Sequence, residues 1–320
     1  MTTYLLFIAT LTAVYALLSI GLVVTWGQAG MVNLGLVGFF GLGAYASALL
    51  TQVGVPIGIA WGAAAALASA IGIGFCLLTR TLRGDYLAIV TLGFGEGLRL
   101  IELNERWLTG GSDGISGIQA PLKEALGSLY PWFYFALSWL IVAAVIVALT
   151  RLLRSPFGRA LRAVRDDENV AAVAGKNVIR LKCQAFGIGA ALFGVAGALY
   201  AHFTSYISPD NFILQMTIYI FLAVTVGGLS RLAGAVFGSI VVMTILESSR
   251  FAAEHVPGLS AVQVASLREF AIAVALILVL QIRPQGVFGL KNQLAGSTPD
   301  TDAAPSLSSG ASQYQARISQ

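Results

Sequence analysis

Glu96 and Arg99 stand three residues apart in an otherwise apolar run from Tyr86 to Leu103, and Glu102 follows after the same interval. At helical spacing such residues share a face. An ionisable group in hydrocarbon costs at least about 2.5 kcal/mol on insertion scales, so it faces a partner or a water-filled cavity. Glu96 and Arg99 therefore form an i,i+3 ion pair that neutralises itself, or else line a polar route or brace a subunit contact. A second set is the glycine-rich stretch Gly27-Gln28-Ala29-Gly30, followed by Asn33, Gly35, Gly38, Gly41 and Gly43. Gly35, Gly38 and Gly43 allow close helix packing. The alternative is a broken helix whose freed backbone groups line a path through the membrane, with Gln28 and Asn33 offering hydrogen bonds to a solute.

The third stretch is Ser155–Asn177. Pro156 favours a helix start, and Leu161, Val164, Glu168, Ala172 and Gly175 recur at intervals of three and four, which puts them on one side of a helix. Arg159, Arg162 and Asp166 group on another face. Such a helix rests on anionic lipid headgroups or docks on a protein. The triplet Asp166-Asp167-Glu168 would be repelled by anionic lipid, which favours a groove on a protein partner.

Other chemistries lack their residues. Gly175-Lys176 has neither the upstream Gly nor the following Ser/Thr of a Walker A motif, so any ATP must be bound by another chain. His202 and His255 are isolated, which leaves no expected metal site or hydrolase grouping. Cys76 and Cys183 sit inside apolar runs and do not suggest a disulfide framework. Thr109-Gly-Gly-Ser-Asp-Gly-Ile reads as tight turns, with an extracytoplasmic contact as the alternative.

These residues must be carried by membrane helices. Of the 320 residues 57% are hydrophobic and only 11% charged, against roughly 25% charged in soluble domains. No charged side chain occurs from Met1 to Thr79. Soluble enzymes and nucleic-acid binders are excluded on this composition, although the net charge is +4. With about 20 apolar residues per crossing, the candidate spans are Tyr4–Thr25, Met31–Thr51, Ile57–Thr79, Tyr86–Leu103, Pro131–Thr150, Cys183–Phe203, Asn211–Leu229, Leu232–Ser249 and Val262–Ile282. The expected fold is all-α, a polytopic transmembrane bundle of about eight to ten spans with a short cytoplasmic helix. No basic region precedes the first run, so a retained span is expected over a cleaved signal peptide. Arg151–Lys182 holds eight basic and three acidic residues, which places it in the cytoplasm. Alternation then puts Arg80, Arg83, Arg231, Arg283 and Lys291 on the same side. Asn104–Tyr130 and the linkers near Ser208 and His255 fall outside. The spans and their loops make one domain, 1–290, with 151–182 as its cytoplasmic loop. The polar residues 291–320 are expected to be a disordered cytoplasmic tail.

The chain resembles the membrane subunit of branched-chain amino acid ABC importers, specifically the M-type permease. The matching stretches begin with Gly27-Gln28 to Asn33-Leu34-Gly35, Phe39–Tyr45, Leu82–Tyr86 with Ala88–Glu96, and Thr109-Gly110-Gly111. They continue with Ser155–Glu168, Gly194 with Gly197–Ala201, Gly227-Gly228-Leu229 and Arg283-Pro284-Gln285-Gly286. The resemblance implies a second permease subunit, two ATP-binding subunits, a periplasmic solute-binding protein and a place in the bacterial inner membrane. It implies no cofactor. It also assigns ATPase coupling to the helix Phe157–Gly175, hence to Phe157, Arg159, Leu161, Arg162, Arg165, Asp166, Asp167, Glu168 and Gly175. With alternating access, Gln28, Asn33, Thr91 and Glu96 are the expected substrate path. The family's usual Ser-Leu-Gly-His-like sequence is Asn33-Leu34-Gly35-Leu36 here. Related permeases carry urea or short amides, and an ion-coupled carrier using Glu96 or a scaffold is the competing class.

Overall fold

The computed structural model describes residues 2–82, 84–253 and 261–282. Arg83, the linker near His255, the Arg283–Gly286 stretch, Lys291 and the expected tail 291–320 lie outside the described residues. The chain divides after Gly289, and the architecture below concerns the first unit.

Among the described residues the long helices are α1 (Thr2–Leu22), α2 (Leu36–Gln52), α3 (Ile57–Leu78), α4 (Asp85–Asn104), α7 (Tyr130–Arg154), α10 (Val178–Thr204), α11 (Leu214–Gly227), α12 (Leu232–Ala253) and α13 (Ala261–Ile282). Single turns α5 (Arg106–Thr109) and α6 (Lys123–Leu126) lie between α4 and α7, and α8 (Pro156–Asp166) and α9 (Glu168–Val173) lie between α7 and α10. Each candidate span thus carries one long helix. Five stretches are long and apolar enough to cross a membrane, namely Thr2–Gln28, Ile57–Leu78, Lys123–Arg154, Val178–Thr204 and Pro209–Gly227.

Two spans differ from expectation. The second does not start at Met31, because residues 29–35 are non-helical and α2 has 17 residues, about 25 Å of rise. The seventh begins with a 3-10 turn, Pro209–Asn211, and its α-helix has 14 residues. Among the described residues there is one strand pair. β1 (Ile115–Ser116) runs antiparallel to β2 (Tyr206–Ile207), pairing Ile115 with Ile207, and it ties the loop after α4 to the end of α10.

The loops gather at two ends as the alternation requires. Gln28 bonds Ser230 and Gly30 packs on Arg165 at one end, where Leu82 and Gly84 line a hollow with Arg165 and Lys182. At the other end Ile118 N–H donates to Ser205 O. The expected tight turns are present there: Gly110, Gly111, Gly114 and Gly117 all have positive φ.

The central element is α10, which packs on α1, α2 and α3. Close approach is possible because glycines face one another. A Cβ on Gly43 would stand 2.3 Å from the Gly194 Cα, and one on Gly197 would stand 2.0 Å from the Phe40 carbonyl oxygen. Between helices, Tyr134 Oη donates to Leu199 O at 2.7 Å, Trp139 Nε1 donates to Ala9 O at 3.1 Å, and Ser239 bonds Ser19 at 2.9 Å. Such interhelical bonds supplement packing where lipid provides no hydrophobic drive between helices.

This packing predicts opposite effects at two glycines. Gly197→Ala forces α2 and α10 apart and is expected to destabilise by about 1–3 kcal/mol. Gly62→Ala, with nothing within 4 Å of the added carbon, is expected to stabilise by about 0.5–1 kcal/mol. Thermal unfolding in detergent checks both; a Gly197→Ala midpoint at or above wild type would refute the close contact.

Candidate functional site

A cleft of about 390 Å³ opens between the start of α2, the first half of α4 and the start of α11. Its walls are mainly apolar, with Leu34, Val37, Ile89, Leu92 and Leu214, thinned by Gly35, Gly38, Gly93 and Gly95. Glu96 and Thr217 supply polar side chains. The Thr217 hydroxyl is buried without a hydrogen-bond partner. Arg99 clasps Glu96, with Nε donating to both carboxylate oxygens at 3.0 Å and Nη2 to Oε1 at 2.5 Å. The two sequence readings of this pair are therefore compatible: it is an i,i+3 ion pair, and its carboxylate faces a cavity.

The other nominated path residues are not in the cleft lining. Thr91 is buried and holds the turn before α2: its Oγ1 accepts from Leu34 N–H at 3.0 Å and donates to Ala88 O at 2.7 Å. Asn33 is fully buried, and its Oδ1 accepts from Gly35 N–H at 3.0 Å. Its Nδ2 has no partner. Asn33 fixes the turn internally and Thr91 ties it to α4, where a Cβ on Gly35 would lie 2.0 Å from the Thr91 carbonyl oxygen.

Gln28 lies elsewhere, at the C-terminal end of a π-helical turn, Val23–Gln28, that extends α1. Its Nε2 donates to Ser230 O at 3.3 Å, and its Oε1 accepts from Arg162 Nη1 at 3.5 Å.

The expected single helix Phe157–Gly175 is two helices. Ser155 caps α8, accepting from Phe157 N–H at 3.2 Å, with Pro156 in the first turn. Asp167 is extended at φ −153° and caps α9, accepting from Asn169 and Val170 N–H at 2.8 and 3.0 Å. A short carboxylate that bonds its own backbone breaks the helix that the periodicity predicts. The acidic triplet is correspondingly divided. Asp166 pairs with Arg165 at 2.8 Å, Glu168 pairs with Lys182 at 2.7 Å, and Asp167 is the cap. Leu161 and Val164 are buried, Phe157 is half-buried, and Arg159 and Gly175 are exposed. Val170 and Val173 are 65% and 91% exposed, an apolar patch on the outer face of α9.

A family model described as branched-chain amino acid transport system / permease component matches residues 4–292. The chain belongs to this family. Among its relatives, the permease protein LivM of the high-affinity branched-chain amino acid transport system of Escherichia coli is 36% identical over 76% of this chain and 63% of its own length. The chain thus spans less than two thirds of that relative. LivH of the same organism is 28% identical over 88% of this chain and 92% of its own. The autoinducer 2 import permease LsrC of Photorhabdus laumondii is 26% identical over 47% and 43%. No solved structure matches. As a family member the chain is a multi-pass membrane permease component, a transport subunit.

The permease also has buried polar groups to which the sequence assigned no role. Glu102 is 5% exposed and neither carboxylate oxygen has a partner; it occupies the space that a side chain at Gly41 would take. Tyr45 Oη is likewise buried and unpartnered. His202, which reads as isolated, shares a 2.8 Å bond with Ser47 and one of 2.5 Å with Gln119 O. Since a carbonyl only accepts, Nδ1 is the donor to Gln119. The sequence signals were a carboxylate three residues beyond Arg99 and a histidine inside an apolar run.

Thr91→Val would leave the half-buried Leu34 N–H without its acceptor, a loss of about 1 kcal/mol. The unfolding midpoint of the permease in detergent should fall accordingly, with Thr91→Ser close to wild type. Equal midpoints for all three proteins would show that Thr91 does not hold this turn.

Proposed function

We propose that the chain is a membrane subunit of an ATP-driven ABC importer for branched-chain or related amino acids in the bacterial inner membrane. Its partners on this reading are a second permease subunit, two ATP-binding subunits and a periplasmic solute-binding protein. ATP is hydrolysed by the partners, and the bundle alternates between inward- and outward-facing states.

The observation that carries the reading is the α8–α9 pair. It projects Arg159, Val170 and Val173 outward beside Asp166 and Asp167, while Leu161 and Val164 anchor it to the bundle. Apolar side chains ringed by mixed charge suit a protein groove better than a lipid surface. The cleft supplies the other half. Its aliphatic walls suit a branched side chain, and the Glu96 carboxylate suits an ammonium group, with Asn33 and Thr91 shaping the wall from behind. Initial selection of the solute rests with the binding protein. Urea or short amides are the alternative cargo, and the LsrC relative is named for a different solute again. An ion-coupled carrier using Glu96 has less support, because such a carrier works without partner chains and leaves the exposed α8–α9 surface without a use.

Two experiments test this. Tagged permease co-expressed with candidate ATP-binding subunits should co-purify with ATPase activity in mild detergent, and Val170→Asp/Val173→Asp should reduce recovery about tenfold, the effect of losing roughly 1.4 kcal/mol of binding. A permease that purifies alone, while a known complex survives in parallel, would overturn the reading. In liposomes holding the complex, Glu96→Gln should raise the KM for leucine about tenfold, as for a lost hydrogen bond to a charged group. Uptake should still require ATP; uptake driven by an ion gradient and abolished by Glu96→Gln would establish the carrier instead.

A further inference from the structure

Two of the arginines on α8 turn inward. Arg165 Nη1 donates to the carbonyl of Gly27 at 2.8 Å, although the residues are 138 apart in sequence. Arg162 Nη1 donates to Leu153 O at 3.2 Å and reaches Gln28 Oε1 at 3.5 Å. Gly27 sits in the last turn of the α1 extension, where helix carbonyls lack intrahelical donors and the helix dipole is negative. A guanidinium is well matched to that position. Gly30, at φ +71°, packs on the same side chain, with a built Cβ 3.1 Å from Arg165 Cγ.

The opposite side of this turn is held as firmly. Gln28 donates to Ser230 O, and a Cβ on Gly27 would lie 2.0 Å from the Leu229 carbonyl oxygen. Gly27–Gly30 therefore lies between α8 and the turn that ends α11. From it the chain runs through residues 31–33 into Leu34 and Gly35, one wall of the cleft, while Leu214 and Thr217 of α11 belong to the facing wall. The segment that leads into one wall, and the far end of the helix whose start lines the cleft, thus both meet this turn beside α8.

We propose that Arg165, assisted by Arg162, is the positioning latch that transmits movement of α8 into both walls of the cleft, and is not a docking contact to the ATPase. The inference rests on the proposed importer function, which assigns docking to the outer face of α8 and α9.

The test uses the permease with its full set of partner subunits in liposomes, with leucine uptake and ATP hydrolysis read on the same vesicles. Arg165→Ala should keep the ATPase in the complex and lower leucine moved per ATP hydrolysed about tenfold, the size of a lost charge-assisted hydrogen bond. Arg165→Lys, whose ammonium still donates to a carbonyl, should restore most of that ratio. A purely structural residue would lower uptake and hydrolysis together and leave their ratio unchanged, which overturns the latch. Release of the ATPase by Arg165→Ala overturns it too, by making Arg165 a docking contact. If that variant does not fold, Arg162→Ala is read by the same ratio, and an unchanged value overturns the proposal. A wild-type complex without ATP-dependent uptake overturns the importer reading and the latch with it; a coupled wild type with an unaffected ratio in the variants overturns the latch alone.

Discussion

Backbone-to-backbone contact at paired glycines sets the geometry of this bundle. Lipid tails are as apolar as the side chains, so helices in a membrane associate by fitting closely, by interhelical hydrogen bonds and by lipid entropy. Here α10 meets α2 where Gly43 faces Gly194 and where Gly197 faces the Phe40 carbonyl, and α2 meets α4 where Gly38 faces Gly95. Each contact is closer than a single added methyl group allows. Larger side chains fill the remaining space, with Phe39, Phe75, Phe94 and Phe186 joined by ring separations of 4.5–5.8 Å. The cleft follows from the same constraint. Gly35, Gly38 and Gly95 contribute no side chains to its floor, so the close approach of α2 and α4 leaves room beside them.

Polar side chains in such a setting serve the backbone first, because no water is present to satisfy a freed N–H or carbonyl. Thr91 and Asn33 take up the N–H groups of Leu34 and Gly35 where α2 has not yet begun. Arg165 takes up the carbonyl of Gly27 where α1 has ended. The interruption between α1 and α2 is thus stabilised from two directions, by α4 within the bundle and by α8 at its end. A break held this way is defined in geometry and still dependent on elements that belong to neither helix.

Much of this was legible in the sequence. Runs of apolar residues located the long helices, since period and length suffice where every face is apolar. The glycine spacing announced close packing, and Pro156 marked the start of α8. What escaped depends on the neighbours of each residue. Asp167 has helical periodicity around it, yet its carboxylate caps α9 and splits the helix. Arg162 reads as part of a charged face with Arg159 and Asp166, but it and Arg165 reach orphan carbonyls close by. Gln28 and Thr91 have the hydrogen-bonding groups of a solute path and spend them on Ser230 and Leu34. Residue type told which groups need partners; only the fold determined which partner was within reach.

The cleft fits the paired arrangement of the proposed importer. Among the described residues its walls come from α2, α4 and α11 and the residues just before α2 and α11. A zwitterion resting against Glu96 and the aliphatic wall needs the rest of its charge kept from hydrocarbon, at the cost attached to any charge in lipid. A second protein surface over the cleft removes that cost, which is the role a paired permease subunit has in the proposed importer. Closing and opening the route then becomes a matter of shifting the walls of one subunit against the other. The turn at Gly27–Gly30 is where such a shift is most economically applied, because the segment leading to Leu34 and the turn ending α11 converge there beside α8.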